Sequence, residues 1–165
     1  MNVEIGWSNC VECSSLVLDP VGRCPGGGLH DTTDSGDYVV PYESSANSRT
    51  NWRHCESCQS LVFAGSGSGG RCTTGLAHTF SQKGYRPEGL PNFDATREAV
   101  RQSDWRWCCK CDGMTYCDAD APGNCATGGV HDDTRSGVYS MVFFVRAAIA
   151  VEGKRLFVSE VRPAA

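Results

Sequence analysis

Apolar residues occur along this chain in short runs, and no stretch of helix length has them at the three- and four-residue spacing of an amphipathic helix. The clearest runs predict strands at 16–18, 38–40, 61–63, 114–116 and 139–144. Nineteen glycines and seven prolines supply turn residues between such runs. The pattern therefore predicts an all-β fold.

Two segments near the carboxyl end qualify this pattern. Residues 94–103 carry helix-forming residues behind a possible N-cap, Asp94, and predict a helical insert. Residues 154–161 alternate polar and apolar positions and predict a terminal strand that seals an edge of the sheet. The apolar run at 142–151 is interrupted by Arg146 and is shorter than the roughly 20 residues of a membrane-spanning helix, so a core strand is expected there.

The dominant feature is a threefold internal repeat, Trp-x2-Cys-x2-Cys…Cys-x5-His. The three copies cover about 5–43, 50–88 and 103–145 of a single domain, 1–165, and are called copies one, two and three below. The spacings within the motif are constant, whereas the segment between the second and third cysteines varies in length. Constant spacing indicates a required geometry, and the variable segment indicates a loop.

Each copy offers the four ligands of a tetrahedral zinc site. The predicted ligands are Cys10, Cys13, Cys24 and His30 in copy one, Cys55, Cys58, Cys72 and His78 in copy two, and Cys108, Cys111, Cys125 and His131 in copy three. A disulfide framework is the alternative, but three cysteines cannot pair within a copy and a recurring histidine has no part in a disulfide. Iron is a further alternative, although iron–sulfur clusters more often use four cysteines. Since four protein ligands close each shell, we expect three structural Zn²⁺ ions and no enzymatic activity.

Three copies of a unit with about four short strands match the architecture of a β-trefoil. We therefore predict an all-β, three-repeat, zinc-stapled, β-trefoil-like domain. Three tandem zinc-ribbon-like modules, each folded around its own ion, are the alternative. The apolar run at 141–151 favours the closed arrangement because it needs a shared core.

Copy three resembles a repeat that occurs in tandem in bacterial, notably actinobacterial, and some fungal proteins. The residues that carry the resemblance are Trp-Arg-Trp-Cys-x2-Cys at 105–111 and Cys-x2-Gly-Gly-x-His-Asp…Ser-Gly-x-Tyr at 125–139. The resemblance covers nearly the whole chain except the tail, but copy two lacks the Gly-Gly pair and the Asp after its histidine. It implies no particular chemistry, since no activity is assigned to the family.

The His-Asp…Ser-Gly-x-Tyr loops of copies one and three suggest a ligand-binding surface, because Asp offers hydrogen bonds and Tyr a stacking face. The predicted ligand-binding residues are Asp31, Tyr38, Asp132, Tyr139 and Trp107. The expected function is a lectin-like, non-catalytic binding module that recognises a glycan or cell-surface receptor, as a toxin or effector would. The repeated tryptophans are expected in the core, Cys109 and Cys117 as semi-buried thiols, and His54 at the surface.

The formal charge of −4 and the pI of about 5.5 disfavour nucleic acid as a partner. The alternative function is an intracellular zinc module that binds protein or nucleic acid, with a contact face at Arg97, Arg101, Arg106 and Lys110. The first residues, MNVEIGW, show no signal-peptide pattern, which predicts a cytoplasmic protein or one released without a classical signal peptide.

Overall fold

The computed structural model describes residues 2–44, 50–87, 99–117, 123–151 and 154–158. These residues form eleven strands and no helix. The strands are β1 (Asn2–Asn9), β2 (Leu16–Val17), β3 (Asp37–Ser44), β4 (Trp52–His54), β5 (Leu61–Phe63), β6 (Lys83–Tyr85), β7 (Ala99–Trp107), β8 (Met114–Tyr116), β9 (Tyr139–Phe144), β10 (Ala147–Val151) and β11 (Lys154–Val158). The predicted all-β fold is confirmed.

Every copy contributes three strands with the same roles. The first strand carries the tryptophan, the second follows the Cys-x2-Cys turn and the third carries the tyrosine. The first strand pairs antiparallel with the second in β1–β2, β4–β5 and β7–β8, and with the third in β1–β3, β4–β6 and β7–β9. A hairpin across the Cys-x2-Cys turn is therefore present in all three copies.

The copies join into one nearly closed antiparallel sheet. The strand order is β5-β4-β6-β3-β9-β7-β8, with β1 attached to β3 and β2 to β1. The two end strands of this order are β5 and β8. A bridge between Val62, in β5, and Gly113, directly before β8, brings them together. Equivalent bridges join Val17 to Ser60 and Thr115 to Ser15. Because each second strand bridges to the next copy in turn, the three repeats close around a pseudo-threefold axis, and the alternative of modules in a row is excluded.

The interior is built from the same three positions in every copy: the motif tryptophan, the first residue of the second strand and the tyrosine of the third strand. These core residues are Trp7, Trp52, Trp105, Leu16, Leu61, Met114, Tyr38, Tyr85 and, at its margin, Tyr139. Each indole meets the tyrosine ring of the next copy edge to face, with centroids 5.1, 5.6 and 5.1 Å apart for Trp7–Tyr85, Trp52–Tyr139 and Trp105–Tyr38. The predicted core role of the tryptophans is confirmed.

The helix predicted at 94–103 is wrong for residues 99–103, and residues 94–98 lie outside the described residues. Ala99 begins β7, which pairs with β9 in register Ala99↔Phe144 through Gln102↔Met141. Pairing with a strand about 40 residues further along the chain thus overrides the local helix propensity.

The carboxyl-terminal strand β11 lies within the segment predicted at 154–161, of which 159–161 are outside the described residues. It pairs with β10 over Ala147↔Val158 to Val151↔Lys154. This pair forms a separate two-stranded sheet, so β11 is not seen to seal the main sheet as predicted.

Candidate metal centres

The twelve predicted ligands form three separate clusters, one in each copy. Within a cluster the three sulfurs and one imidazole nitrogen all lie within 4.8 Å of one another. Ten of the twelve residues are buried, and His78 and His131 are half-buried. Each cluster could hold one metal ion without a ligand from outside its own copy.

The distances within each cluster fit a tetrahedral metal ion. The first and third sulfurs are 3.8, 4.0 and 3.9 Å apart in copies one, two and three. The second sulfur lies 3.5, 3.6 and 3.6 Å from histidine Nδ1. Metal–sulfur bonds of about 2.3 Å and metal–nitrogen bonds of about 2.0 Å give tetrahedral edges of about 3.8 and 3.5 Å. A disulfide needs sulfurs about 2.0 Å apart, so the cysteines are placed as metal ligands and not as disulfide partners.

The Cys-x2-Cys segment forms a tight turn, called the knuckle below, that ends in a left-handed residue. Ser14, Gln59 and Asp112 follow the second cysteine with φ of 56°, 63° and 62°. The backbone N–H of each donates to the carbonyl of the first cysteine, at 2.7, 2.8 and 2.9 Å. Holding non-glycine residues at positive φ costs free energy, and the surrounding contacts must offset that cost.

A second turn presents the third cysteine of each copy. The N–H groups of Cys24, Cys72 and Cys125 donate to the carbonyls four residues on, at 3.0, 3.0 and 2.8 Å. In copy three, the N–H of Asp132 also donates to the Cys108 sulfur at 3.3 Å. An N–H group that donates to a cysteine sulfur favours the thiolate form, which is the form that binds metal.

The electrostatics favour the thiolate form at the first and third cysteines of each cluster, whereas hydrogen bonds to their sulfurs raise the pKa of the second cysteine. A hydrogen bond from the Cys13 thiol lowers the pKa of Cys10 to about 3, against the opposing effect of burial. Burial alone would lower the pKa of His78, but hydrogen bonds to Cys55 and Cys72 raise it to about 10. Metal binding requires deprotonated ligands and releases the protons that they carry, so acid should weaken it.

Each ligand histidine uses its other nitrogen to contact the next copy. Nε2 donates to the carbonyl of the second knuckle cysteine: His30 to Cys58 at 3.0 Å, His78 to Cys111 at 2.9 Å and His131 to Cys13 at 2.8 Å. This hydrogen bond keeps a proton on Nε2 and leaves Nδ1, which faces the sulfurs, as the nitrogen that would ligate a metal ion, and this is the usual way proteins orient a ligand histidine. In copies one and three the acceptor is thus a backbone carbonyl of the next copy and not the aspartate that follows the histidine.

A glycine two residues before each third cysteine completes this contact, and it was missed from the sequence. A Cβ at Gly22, Gly70 or Gly123 would lie 2.7, 2.6 or 2.7 Å from the same carbonyl oxygens of Cys58, Cys111 and Cys13. The carbonyl of one copy therefore fits between a glycine and a histidine of the preceding copy. The pattern Gly-x-Cys-x5-His, constant in all three copies, is the signal that could have identified these glycines.

The tyrosines predicted to bind a ligand are core residues. Tyr38 is 3% exposed, so the prediction that it offers a stacking face is wrong. Its hydroxyl donates to Gln102 Oε1 at 2.5 Å, and burial raises its pKa above the ordinary value. Tyr139 is half-buried, with its ring edge to face against Trp52. A buried tyrosine satisfies its hydroxyl within the fold, and the sequence pattern did not distinguish this from exposure.

The two predicted aspartates shape the loops that carry them. Asp31 Oδ1 accepts from the N–H and hydroxyl of Thr33 at 3.0 and 2.6 Å, and Asp132 does the same with Thr134 at 3.1 and 2.7 Å. These hydrogen bonds lower the pKa of both carboxyls. Asp31 is exposed and Asp132 half-buried, so both reach solvent while holding a turn.

Trp107 is half-buried and joins copies two and three. Its Nε1 donates to Asp112 Oδ1 at 3.1 Å and its ring packs against Phe63 with centroids 5.8 Å apart. The two cysteines outside the motif, Cys109 and Cys117, are half-buried as predicted.

His54 is not the surface residue that was expected. It is 9% exposed, packs edge to face on Trp7 and contacts Gln59 Oε1 through Nε2 at 2.9 Å. Its burial lowers its pKa.

The basic residues of the alternative function are engaged within the domain. Arg106 lies 3.9 Å from Asp104 and 4.0 Å from Asp133, and Lys110 donates to the carbonyls of Gly128 and Val130. Arg97 lies outside the described residues. Within the described part of the chain, no helix is long and apolar enough to cross a membrane.

Comparison with known proteins adds no assignment. No family model matches the chain, and no curated protein or solved structure matches it either.

Proposed function

We propose that this protein is a non-catalytic binding module whose fold is stabilised by three structural Zn²⁺ ions and whose loops recognise a glycan, free or carried by a cell-surface receptor. The observation that carries the proposal is the set of three equivalent Cys3His clusters, each with four ligand atoms within 4.8 Å of one another. A toxin or effector could use such a module to select its target cell.

The ligand set supports zinc over other ions. Three thiolates and one imidazole form a closed tetrahedral shell, which is typical of structural zinc sites. A closed shell leaves no coordination position for a substrate or an activated water, and the ligands are turned inward between hairpins. When bound, the ion supplies a rigid four-way crosslink. The role we infer for each centre is therefore structural.

Native mass spectrometry tests the zinc proposal directly. The reduced protein should carry three Zn²⁺ ions, and chelator should remove them together with the β-sheet circular-dichroism spectrum. A chain that carries no metal and has lost mass through disulfide formation would contradict the proposal. A Cys109→Ser variant serves as the matched control and should still bind three ions, since Cys109 lies outside the clusters.

The glycan proposal now depends on the two aspartates and not on the tyrosines. Asp31 and Asp132 present carboxylates whose orientation is fixed by Thr33 and Thr134, and a fixed acceptor loses little entropy on binding a sugar hydroxyl. Trp107 lies half-buried beside the loop of copy three, where its backbone N–H donates to Ser136 Oγ at 2.7 Å.

A glycan array with the wild type and an Asp31→Ala/Asp132→Ala double variant tests this part. Binding should be lost in the double variant and kept in Asp34→Ala, which removes an exposed carboxylate from the same loop of copy one. Glycan binding that survives in the double variant would move the site elsewhere. Membership of the tandem-repeat proteins that copy three resembles stays a prediction.

A further inference from the structure

The contacts that join the metal clusters of neighbouring copies run in one direction around the axis. The histidine and glycine of copy one hold the knuckle of copy two, those of copy two hold copy three, and those of copy three hold copy one. The backbone follows the same order: Leu18 N–H donates to Gln59, Phe63 to Asp112 and Tyr116 to Ser14, at 2.9, 2.8 and 2.8 Å. Every knuckle is thus part of its own cluster and is also held by the preceding copy.

We propose that the three centres form a closed relay in which metal binding in one copy orders the metal site of the next, so that the protein takes up its ions cooperatively. This inference rests on the proposed structural role of the ions. It concerns their coupling, which three independent structural sites would not show.

The hydrogen bond from histidine Nε2 supplies the link. Ligation through Nδ1 fixes both the tautomer and the orientation of the imidazole, and therefore directs Nε2–H at the next knuckle. That knuckle ends in a left-handed residue, Gln59 in copy two, which the surrounding contacts must hold in place. Without the ion in copy one, His30 is free to turn away and Cys58 loses the donor to its carbonyl.

The glycine contact adds a steric link between the centre of copy one and the knuckle of copy two. Gly22 lies against the carbonyl of Cys58 and the side chain of Gln59, with an added Cβ 2.7 and 2.8 Å from their atoms. Gly22 is two residues from the ligand Cys24, so the position of its backbone depends on the centre of copy one. Two contacts from one centre thus converge on a single carbonyl of the next, and a coupling of about tenfold in affinity is expected.

Partial loading of the wild-type chain tests the relay. The reduced, metal-free protein is given one equivalent of Cd²⁺ and examined by native mass spectrometry and ¹¹³Cd NMR. The relay predicts that the zero-ion and three-ion forms dominate and that three resonances grow in parallel. A statistical distribution, in which the one-ion form is the most abundant, would overturn the relay. Fewer than three ions at saturation would instead contradict the structural role of the ions, and the relay with it.

Three matched variants test whether the coupling has a direction. Coupling through folding of the whole domain alone would weaken the other two centres equally. His30→Cys keeps four ligands in copy one but removes the donor to Cys58, so Cd²⁺ affinity should fall about tenfold at copy two. His78→Cys should move the main loss to copy three, and His131→Cys should move it to copy one. The substituted centre is identified by the changed chemical shift of its four-sulfur site.

If the loss of Cd²⁺ affinity is confined to the substituted centre in all three variants, the relay is overturned. Gly22→Ala provides a second route, because it leaves all four ligands of copy one in place and should weaken copy two. If any of these variants fails to fold, the wild-type distribution still decides between relay and independent sites.

Discussion

The two ends of the barrel obey the threefold symmetry to different degrees. The metal end is formed by the knuckles, the turns of the third cysteines and the histidines. The hydrogen bond that closes each knuckle, the one that closes each third-cysteine turn and the one from histidine Nε2 recur there in all three copies with nearly the same length. At the far end, the tyrosine strands have different lengths and β3 pairs with both β6 and β9. The Tyr38 hydroxyl donates to Gln102, whereas that of Tyr85 donates to Glu4, which also pairs with Lys83.

This difference reflects the forces that act at each end. Coordination and backbone hydrogen bonds are directional, so a displacement of a few tenths of an ångström is costly. Apolar burial is not directional and tolerates changes of shape when volume is kept. The metal end therefore fixes the symmetry of the fold, and the far end fills the barrel with whatever side chains fit.

The strongest test of this comparison removes a metal ligand. Cys58→Ser should abolish cooperative folding, because it opens the centre of copy two and leaves buried sulfurs uncompensated. Circular dichroism and the number of bound ions measure the effect. Cys117→Ser, at a half-buried cysteine outside the clusters, should change the free energy of unfolding by no more than about 0.5 kcal/mol. Equal effects of the two substitutions would mean that the clusters do not hold metal.

A large truncation at the core should weaken the fold without changing metal stoichiometry. Trp105 is fully buried, so Trp105→Ala should lower the free energy of unfolding by about 3–5 kcal/mol. Urea denaturation monitored by circular dichroism gives the value, and the folded fraction should still carry three ions. Trp107→Ala, at a half-buried indole, should cost less. A stoichiometry below three in folded Trp105→Ala would show that the two ends are not separable.

A methyl group placed at the metal end should be more harmful than one at an open glycine. Gly22→Ala brings Cβ within 2.7 Å of the Cys58 carbonyl and should destabilise by about 1–3 kcal/mol. Gly137→Ala is the control, since its Cβ would meet nothing within 4 Å. Thermal unfolding of both variants at equal zinc concentration measures the difference. Similar midpoints for the two would show that the Gly22 contact relaxes freely.

The smallest effect is expected from a single hydroxyl at the far end. Tyr38→Phe keeps the ring against Trp105 but removes the donor to Gln102, and should cost about 0.5–1.5 kcal/mol. Urea denaturation again provides the measurement, with ion stoichiometry as an internal check. A much larger loss in the free energy of unfolding would show that directional hydrogen bonds also determine the structure of the far end.

The grouping of the twelve predicted ligands into three clusters was predictable from the sequence because the geometry of each cluster is largely local. A Cys-x2-Cys turn places two sulfurs within a few residues, and constant spacings in three copies are visible without a structure. The acceptor of each histidine and the role of Gly22 were not predictable in this way, since both contacts join residues of different copies. The strand at 99–103 was missed for the same reason, because its partner β9 lies far along the chain.

The aromatic residues show a different limit. Trp7 was assigned to the core because it keeps a constant distance from a ligand, and the structure agrees. Tyr38 keeps a similar register, but the loop motif predicts a stacking face for a ligand, and only the barrel shows that the ring is buried and that Gln102 accepts from its hydroxyl. Burial of an amphipathic side chain depends on partners that the pattern of one strand does not reveal.

The one-way order of the contacts also defines what kind of interface joins the copies. On one side, each copy presents a glycine and a histidine that hold a carbonyl of the next copy. On the other side, it presents its own knuckle carbonyl to the preceding copy. Head-to-tail contacts of this kind are heterologous, and they form either an open filament or a closed ring according to the rotation between units. Here the rotation closes after three, through the bond from His131 to Cys13. A single copy produced alone would therefore carry both halves of this interface, and the same rotation would bring three such copies into a closed ring.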